Sequence, residues 1–324
     1  MTPRPEPGQL RTVTETVPVS AIDGPVLAHE HLQIDLRWPV RMPSDPRRWL
    51  DEESKVTNEL IDLRDEHGLS LVIDLTGCAV GRDASTLARM SARSDVAVVA
   101  ATGMLAEPFH PDFVRNGDVD RITQRLLAEI GFGMDGTYIL PGVIGEIGTW
   151  GSTPTEAEER CLRAAARAAL QSGLAVATHG QAGLAQLEIL VGEGLPTDWI
   201  AVGGQDLSED VAVHRKIVES GAYVSFGMLG RATTPGNPAK ADEDGRLSRV
   251  LALIEAGHAD RVLLSGGVSR MDHLAEYGGT GYGYLFRTFL PALRYHGVDE
   301  ATLWTIVHDN PLRWLTGVSS LPEA

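Results

Sequence analysis

The 324-residue chain has only two cysteines, Cys78 and Cys161, far apart in sequence and too few for a disulfide framework. Both lie in apolar surroundings and read as buried, reduced thiols. Basic residues are also in deficit, 28 Lys and Arg against 44 Asp and Glu, for a formal net charge of −16. Such a surface repels a phosphate backbone, so nucleic acid is not an expected partner. The acidic excess is spread along the chain, as in TEAEERC, and reads as solvated helix faces. No apolar run approaches the roughly 20 residues of a membrane span, and the opening MTPRPEPGQLRTVTE lacks the basic-then-apolar order of a secretion signal. The expectation is a cytoplasmic protein with no membrane contact. There is no internal repeat, low-complexity tract or linker, and no strand candidate is followed by G-x-G-x-x-G.

What is present is an alternation of short β-rich runs with longer segments of helical period, the mark of a parallel sheet with helical crossovers. Eight strands are predicted: Pro25 to His29, Ser70 to Leu75, Val96 to Ala101, Gly142 to Glu146, Ala175 to His179, Trp199 to Gly203, Ala222 to Phe226 and Arg261 to Ser265. Each is short and apolar, as strands covered on both faces should be. The helix after the fourth strand is predicted to start with Thr153 as N-cap, Pro154 at its first position and Glu156 completing a capping box, and to end at Gly173. Ser208 is predicted to cap a helix from Glu209 to Ser220, and the tail from Tyr282 to Thr316 to hold helices interrupted at Gly297 and Asn310-Pro311. The fold class that follows is α/β, a single-domain TIM-type (β/α)₈ barrel over residues 18–324 behind an irregular segment 1–17. A doubly wound open sheet is the rival architecture. The barrel is preferred because candidate polar groups lie at the ends of several different strands, as a barrel active site requires.

Those polar groups begin with VLAHEHL on the first strand, where His29 and His31 are one residue apart and project from the same side of an extended backbone. The fourth strand ends GVIGEIGTWG and carries Glu146 to the strand mouth in an otherwise apolar run, where a carboxylate needs a cation, a hydrogen-bond partner or a proton. The fifth ends AVATHGQAG and delivers His179 to the same rim. Three imidazoles and a carboxylate on one barrel face suit a transition metal, most simply zinc. Trp150, Met104, Phe109, Met228, Met271 and Tyr282 follow predicted strands and are candidates for an apolar pocket around a small-molecule substrate. Arg270 is a candidate for orienting an anionic substrate group. Arg82 and Asp83 read as a structural ion pair.

HEHL, the GRD run at Gly81 to Asp83, Thr102-Gly103, GEIG, THG and the closing YGGTGYGYLFRTFLPALRYHGV with DNPLRWL resemble the phosphotriesterase family of the amidohydrolase superfamily over nearly the whole chain. The GEIG run resembles the branch of phosphotriesterase homology and resiniferatoxin-binding-related proteins, in which a glutamate bridges two metals. The resemblance implies His29 and His31 on a first metal, Glu146 as the bridge and His179 on a second. It further implies a homodimer. Two positions depart from the family pattern: VGGQD places Gly204 where a histidine ligand is expected, and LLSGGVS places Gly267 where a metal-binding aspartate, also the proton acceptor, is expected. Asp206 belongs to the retained part of the first motif and is a candidate catalytic or supporting group, with Asp272 and His273 as other candidate bases.

The ligand count then predicts one zinc ion or none rather than two. The expected function is a phosphotriesterase-like metal-dependent hydrolase of an ester, lactone, amide or phosphoester with a degenerate metal site. If the chain is an engineered, metal-site-deficient form, restoring the ligands by Gly204→His and Gly267→Asp is expected to restore both metal binding and turnover. Two alternatives remain open: a metal-free or mononuclear enzyme of elimination, cyclisation or rearrangement, and a non-catalytic binder on an old scaffold.

Overall fold

The computed structural model describes residues 8–37, 45, 49–231 and 243–318. Eight parallel strands form the sheet: β1 (Val26–Glu30), β2 (Leu71–Asp74), β3 (Ala97–Thr102), β4 (Val143–Gly148), β5 (Val176–His179), β6 (Ile200–Val202), β7 (Tyr223–Phe226) and β8 (Val262–Leu264). Their spatial order follows the sequence from β1 to β8. Helical crossovers lie between them, α1 (Glu53–His67), α2 (Ala84–Ser94), α3 (Val119–Phe132), α4 (Glu156–Ser172), α5 (Gly183–Gly192), α6 (Val211–Glu219) and α7 (Glu243–Glu255). This is a (β/α)₈ barrel. The strands match the expected ones to within two residues at each end.

The seam between β1 and β8 is fastened by a side chain. Glu30 is fully buried, and its carboxylate accepts from Ser265 Oγ at 2.7 Å, Gly266 N at 2.8 Å and Val268 N at 2.7 Å. Gly267 N also donates to the His29 carbonyl at 3.1 Å.

Two layers of apolar side chains surround the sheet. Inside the barrel, Val26, Ala28, Ile73, Val99, Ala101 and Val143 pack with Tyr223 and Leu263. Outside it, Leu27, Val72, Val98, Ile144, Val176 and Val202 meet the helices. The alternation is the period of two that a strand dictates. The bottom of the barrel is plugged by Leu10, Val19 and Ile22 from the N-terminal segment and by Trp314 and Leu315 from the last helix, leaving the opposite mouth for chemistry.

Four local expectations are corrected. The segment expected to be irregular pairs Gln9–Arg11 with Thr16–Pro18 as an antiparallel hairpin and sends Leu10 into the interior core; residues 1–7 lie outside the described ones. The capping box of α4 is Thr155 with Glu158, two residues later than expected, and Gly173 closes the helix in the left-handed region at φ +77°. The run Thr-Pro-Thr-Glu-Ala-Glu-Glu holds two overlapping T-x-x-E frames, and the later one wins because buried Glu158 also accepts from Glu107 N and Trp150 N. Asn310-Pro311 does not interrupt the tail. A π-helical stretch, Thr305–Asp309, leads directly into the final helix, Asn310–Thr316, whose first turn contains Pro311, where its missing N–H costs nothing. The cap of α6 is Asp210 rather than Ser208.

Candidate metal centre

Strand periodicity alone would not assemble the site, because two of the three strands that carry it, β1 and β4, break register. The β1–β2 ladder shifts between Leu27 and Glu30, and the β4–β5 ladder between Ile144 and Ile147, where Gly145 adopts φ +150° and the Gly145–Glu146 peptide is cis. Ile144 and Ile147 both face the helices. The register shift between them leaves Glu146 free to point into the mouth, as a β-bulge re-aims a side chain.

There it meets the imidazoles. Glu146 Oε2 lies 3.1 Å from His29 Nε2 and 3.3 Å from His179 Nδ1, and Oε1 lies 3.7 Å from His31 Nε2. The four expected side chains therefore come together from β1, β4 and β5. His29, Glu146 and His179 each offer one ligand atom within 4.8 Å of the others. Those three atoms, His29 Nε2, Glu146 Oε2 and His179 Nδ1, are buried and none is aligned for a hydrogen bond, although their separations are short. Buried polar atoms are normally satisfied, and two ring nitrogens with a carboxylate oxygen form a donor set a zinc ion accepts, with a fourth position left for water or substrate. The residues present thus fit one metal ion.

His31 stands beside this set rather than in it. Its Nδ1 is 3.0 Å from Thr76 Oγ1, and the Tyr282 hydroxyl donates to its backbone carbonyl at 2.8 Å. Electrostatics favour a neutral imidazole at His31 and His179 and an ionised carboxylate at Glu146. Burial pushes the His31 imidazole down to about 3, against the opposing pull of Glu146, and lowers His179 too. Burial alone would raise Glu146, but His179, His29 and His31 outweigh it and hold the carboxyl well below its usual range.

The two glycines are not simple gaps. Gly204 sits at φ +73°, and a Cβ there would come within 2.5 Å of Gly180 N. Gly267 sits at φ +56°, where a Cβ would overlap the Gly227 carbonyl. A third glycine, Gly227, presses against His29, since a Cβ there would lie 2.7 Å from its Nδ1.

A cavity of about 260 Å³ opens over the cluster. Its polar side holds His31, Glu146, His179, Arg231 and Arg270; Ile34, Leu36, Leu105, Phe109 and Trp150 line the other. Of the expected pocket residues, Trp150, Phe109 and Arg270 take that place. Met104 does not: it is buried in the core outside the sheet. Tyr282 is likewise buried, spent on holding the His31 backbone.

Asp206, expected as a catalytic or supporting group, does not line the cavity. Its carboxylate accepts from Gly227 N at 2.8 Å and Met228 N at 3.2 Å and lies 3.5 Å from Arg246, tying the β6 and β7 ends together. Neither Asp272 nor His273 lines the cavity. Arg82 pairs with Glu129 and Asp135 rather than with Asp83, which caps α2. Arg231 is the site residue sequence reasoning missed. Its one signal, a basic side chain a few residues beyond a predicted strand end, was shared with many surface residues.

Convergent imidazoles and a carboxylate at the C-terminal mouth of a (β/α)₈ barrel define a barrel enzyme with a site that could hold a metal ion. The chain belongs to the phosphotriesterase family, which it matches over residues 8–315, and is a hydrolase-family enzyme by that membership. It is 35% identical over 291 residues to the phosphotriesterase homology protein of Escherichia coli (strain K12), covering 89% of this chain and 96% of that one. It is 29% identical over 284 residues to human N-acetyltaurine hydrolase, covering 82% and 79%. Its fold superposes on the crystal structure of the lactonase Lmo2620 from Listeria monocytogenes with a TM-score of 0.84 at 25% identity, covering 95% and 99%.

Proposed function

We propose that the chain hydrolyses a small ester, lactone, amide or phosphoester at a mononuclear zinc centre held by His29, Glu146 and His179. The observation that carries this reading is the convergence of three buried, unsatisfied ligand atoms. A zinc ion bound there supplies Lewis acidity and an acidified water. The protein's own groups do the rest. Glu146 stays ionised, and Oε1, turned toward His31 and away from the other two imidazoles, is the oxygen left to accept a proton. Phe109 and Trp150 wall one side of the cavity. The small cavity, near the lower end of the ~300–1,000 Å³ of small-molecule sites, suits a compact substrate. An N-acyl amine or a lactone is in keeping with the relatives named above.

Gly204 and Gly267 favour a second reading in which His29, His31, His179 and Glu146 serve as acid and base groups in a metal-free elimination, cyclisation or rearrangement. The two readings separate in a screen of short-chain esters, lactones, phosphoesters and N-acyl amines before and after chelation. The hydrolase reading predicts turnover that chelation abolishes and zinc restores, and a loss of about 10²-fold or more in Glu146→Gln. Turnover indifferent to chelation would overturn it and favour the metal-free reading.

A cytoplasmic location is the one proposed; Cys78 and Cys161 are free, and burial raises both thiols to about 12. No helix among the described residues is long and apolar enough to cross a membrane. A homodimer is the assembly proposed, to be read by sedimentation equilibrium.

A further inference from the structure

Arg231 lies five residues beyond the end of β7 and reaches across the barrel mouth to β8. Its Nε donates to the Gly266 carbonyl at 3.4 Å and its Nη2 to the Gly267 carbonyl. Both acceptors are neutral, and among the described residues no carboxylate forms an ion pair with it. The guanidinium nevertheless lines the cavity that holds Glu146, His31 and His179, near enough for its charge to oppose protonation of both imidazoles. Burial brings it down only to about 10, so it remains cationic at neutral pH.

Gly267 is what lets the guanidinium stand there. A Cβ at 267 would lie 2.5 Å from Arg231 Nη2, so a side chain at 267 and the guanidinium contend for the same space. Where the family resemblance leads one to expect an acidic ligand that holds a cation, this chain has removed the acid and installed a cation of its own. A guanidinium fork with two N–H groups spent on carbonyls has further donors to offer, and its preferred ligand is an oxyanion.

We infer that Arg231 is the anion-binding residue of the site, receiving a negatively charged oxygen of the bound substrate, either a permanent acid group or the oxyanion that develops at the reacting centre. Arg270, on the same polar wall, adds to the positive field. The inference shares with the hydrolase reading the location of the substrate site, but not its metal ion.

Inorganic phosphate is the probe, titrated by calorimetry into the full-length protein as purified and after chelation, with Arg231→Gln, Arg231→Met and Arg231→Lys compared. Phosphate is expected to bind the wild type in both states, about tenfold or more weaker in Arg231→Gln and Arg231→Met, and with intermediate affinity in Arg231→Lys. Arg231→Gln retains N–H donors for the two carbonyls, so it decides the question if Arg231→Met does not fold by circular dichroism. Equal affinity in Arg231→Gln and wild type overturns the inference. So does phosphate binding that vanishes on chelation and ignores the substitution, a result that would leave the metal reading standing. Arg231-dependent binding in a protein that never takes up zinc would instead sink the metal reading alone. With any substrate the screen yields, Arg231→Gln separates the two sources: KM rises for acidic substrates only if a permanent acid group is held, and kcat falls for neutral substrates too if the developing oxyanion is.

Discussion

Gly204 and Gly267 show how much a single position can conceal. Sequence comparison within the family registers a missing ligand at each, and the simplest remedy is to put the ligand back. The structure makes that remedy unworkable, because both backbones are left-handed, at φ +73° and +56°, and neither has room for a Cβ. Left-handed backbone costs an ordinary residue about 1–2 kcal/mol, and overlap with Gly180 adds about 1–3 kcal/mol as overpacking does. Gly204→His is therefore expected to lower stability by about 2 kcal/mol or more in urea titration and to leave the zinc content unchanged. A folded variant of undiminished stability that gains an equivalent of zinc would refute this. The four residues His29, His31, Glu146 and His179 were legible because each stands at a strand end in an apolar run. Arg231 was not, since its importance lies in what Gly267 omits 36 residues later, and only the fold brings the two together.

At the scale of elements, the eight strands were legible because each is buried on both faces and bounded by helical segments. The hairpin of Gln9–Arg11 with Thr16–Pro18 was not, since three-residue strands carry too little pattern to stand out from a Pro-rich start. The register breaks in β1 and β4 were equally hidden, although they aim the site. Element packing also sets a pH response. His214 on α6 is fully buried, its Nε2 3.2 Å from the Gln205 carbonyl and its ring 5.2 Å from Phe226. Burial, with Arg249 nearby, pushes it down to about 4. Between about pH 6.5 and 4 the unfolded chain binds a proton at this imidazole that the folded chain refuses. Stability must then fall as pH falls through that window, by up to about 3 kcal/mol from this group. His214→Gln is expected to flatten the stability profile there relative to wild type, measured by urea unfolding at a series of pH values. Parallel profiles would show that His214 is not responsible.

For the whole molecule, the barrel explains why the chemistry sits where it does. One end is plugged by Leu10, Val19, Ile22 and Trp314, and the other gathers strand ends that are distant in sequence into one cavity. The fold class was legible from the alternation of elements and the scatter of polar groups over different strand ends. The proposal of a single metal ion began as arithmetic on ligands. Geometry turns that arithmetic into a specific set, in which three atoms converge without partners and a guanidinium stands near the place where a further ligand is missing. The most direct test is the zinc content of protein purified without chelator, by plasma mass spectrometry. One equivalent per chain, lost in Glu146→Gln and in His179→Ala, is the result expected. Two equivalents, or none after zinc is supplied, would contradict the account.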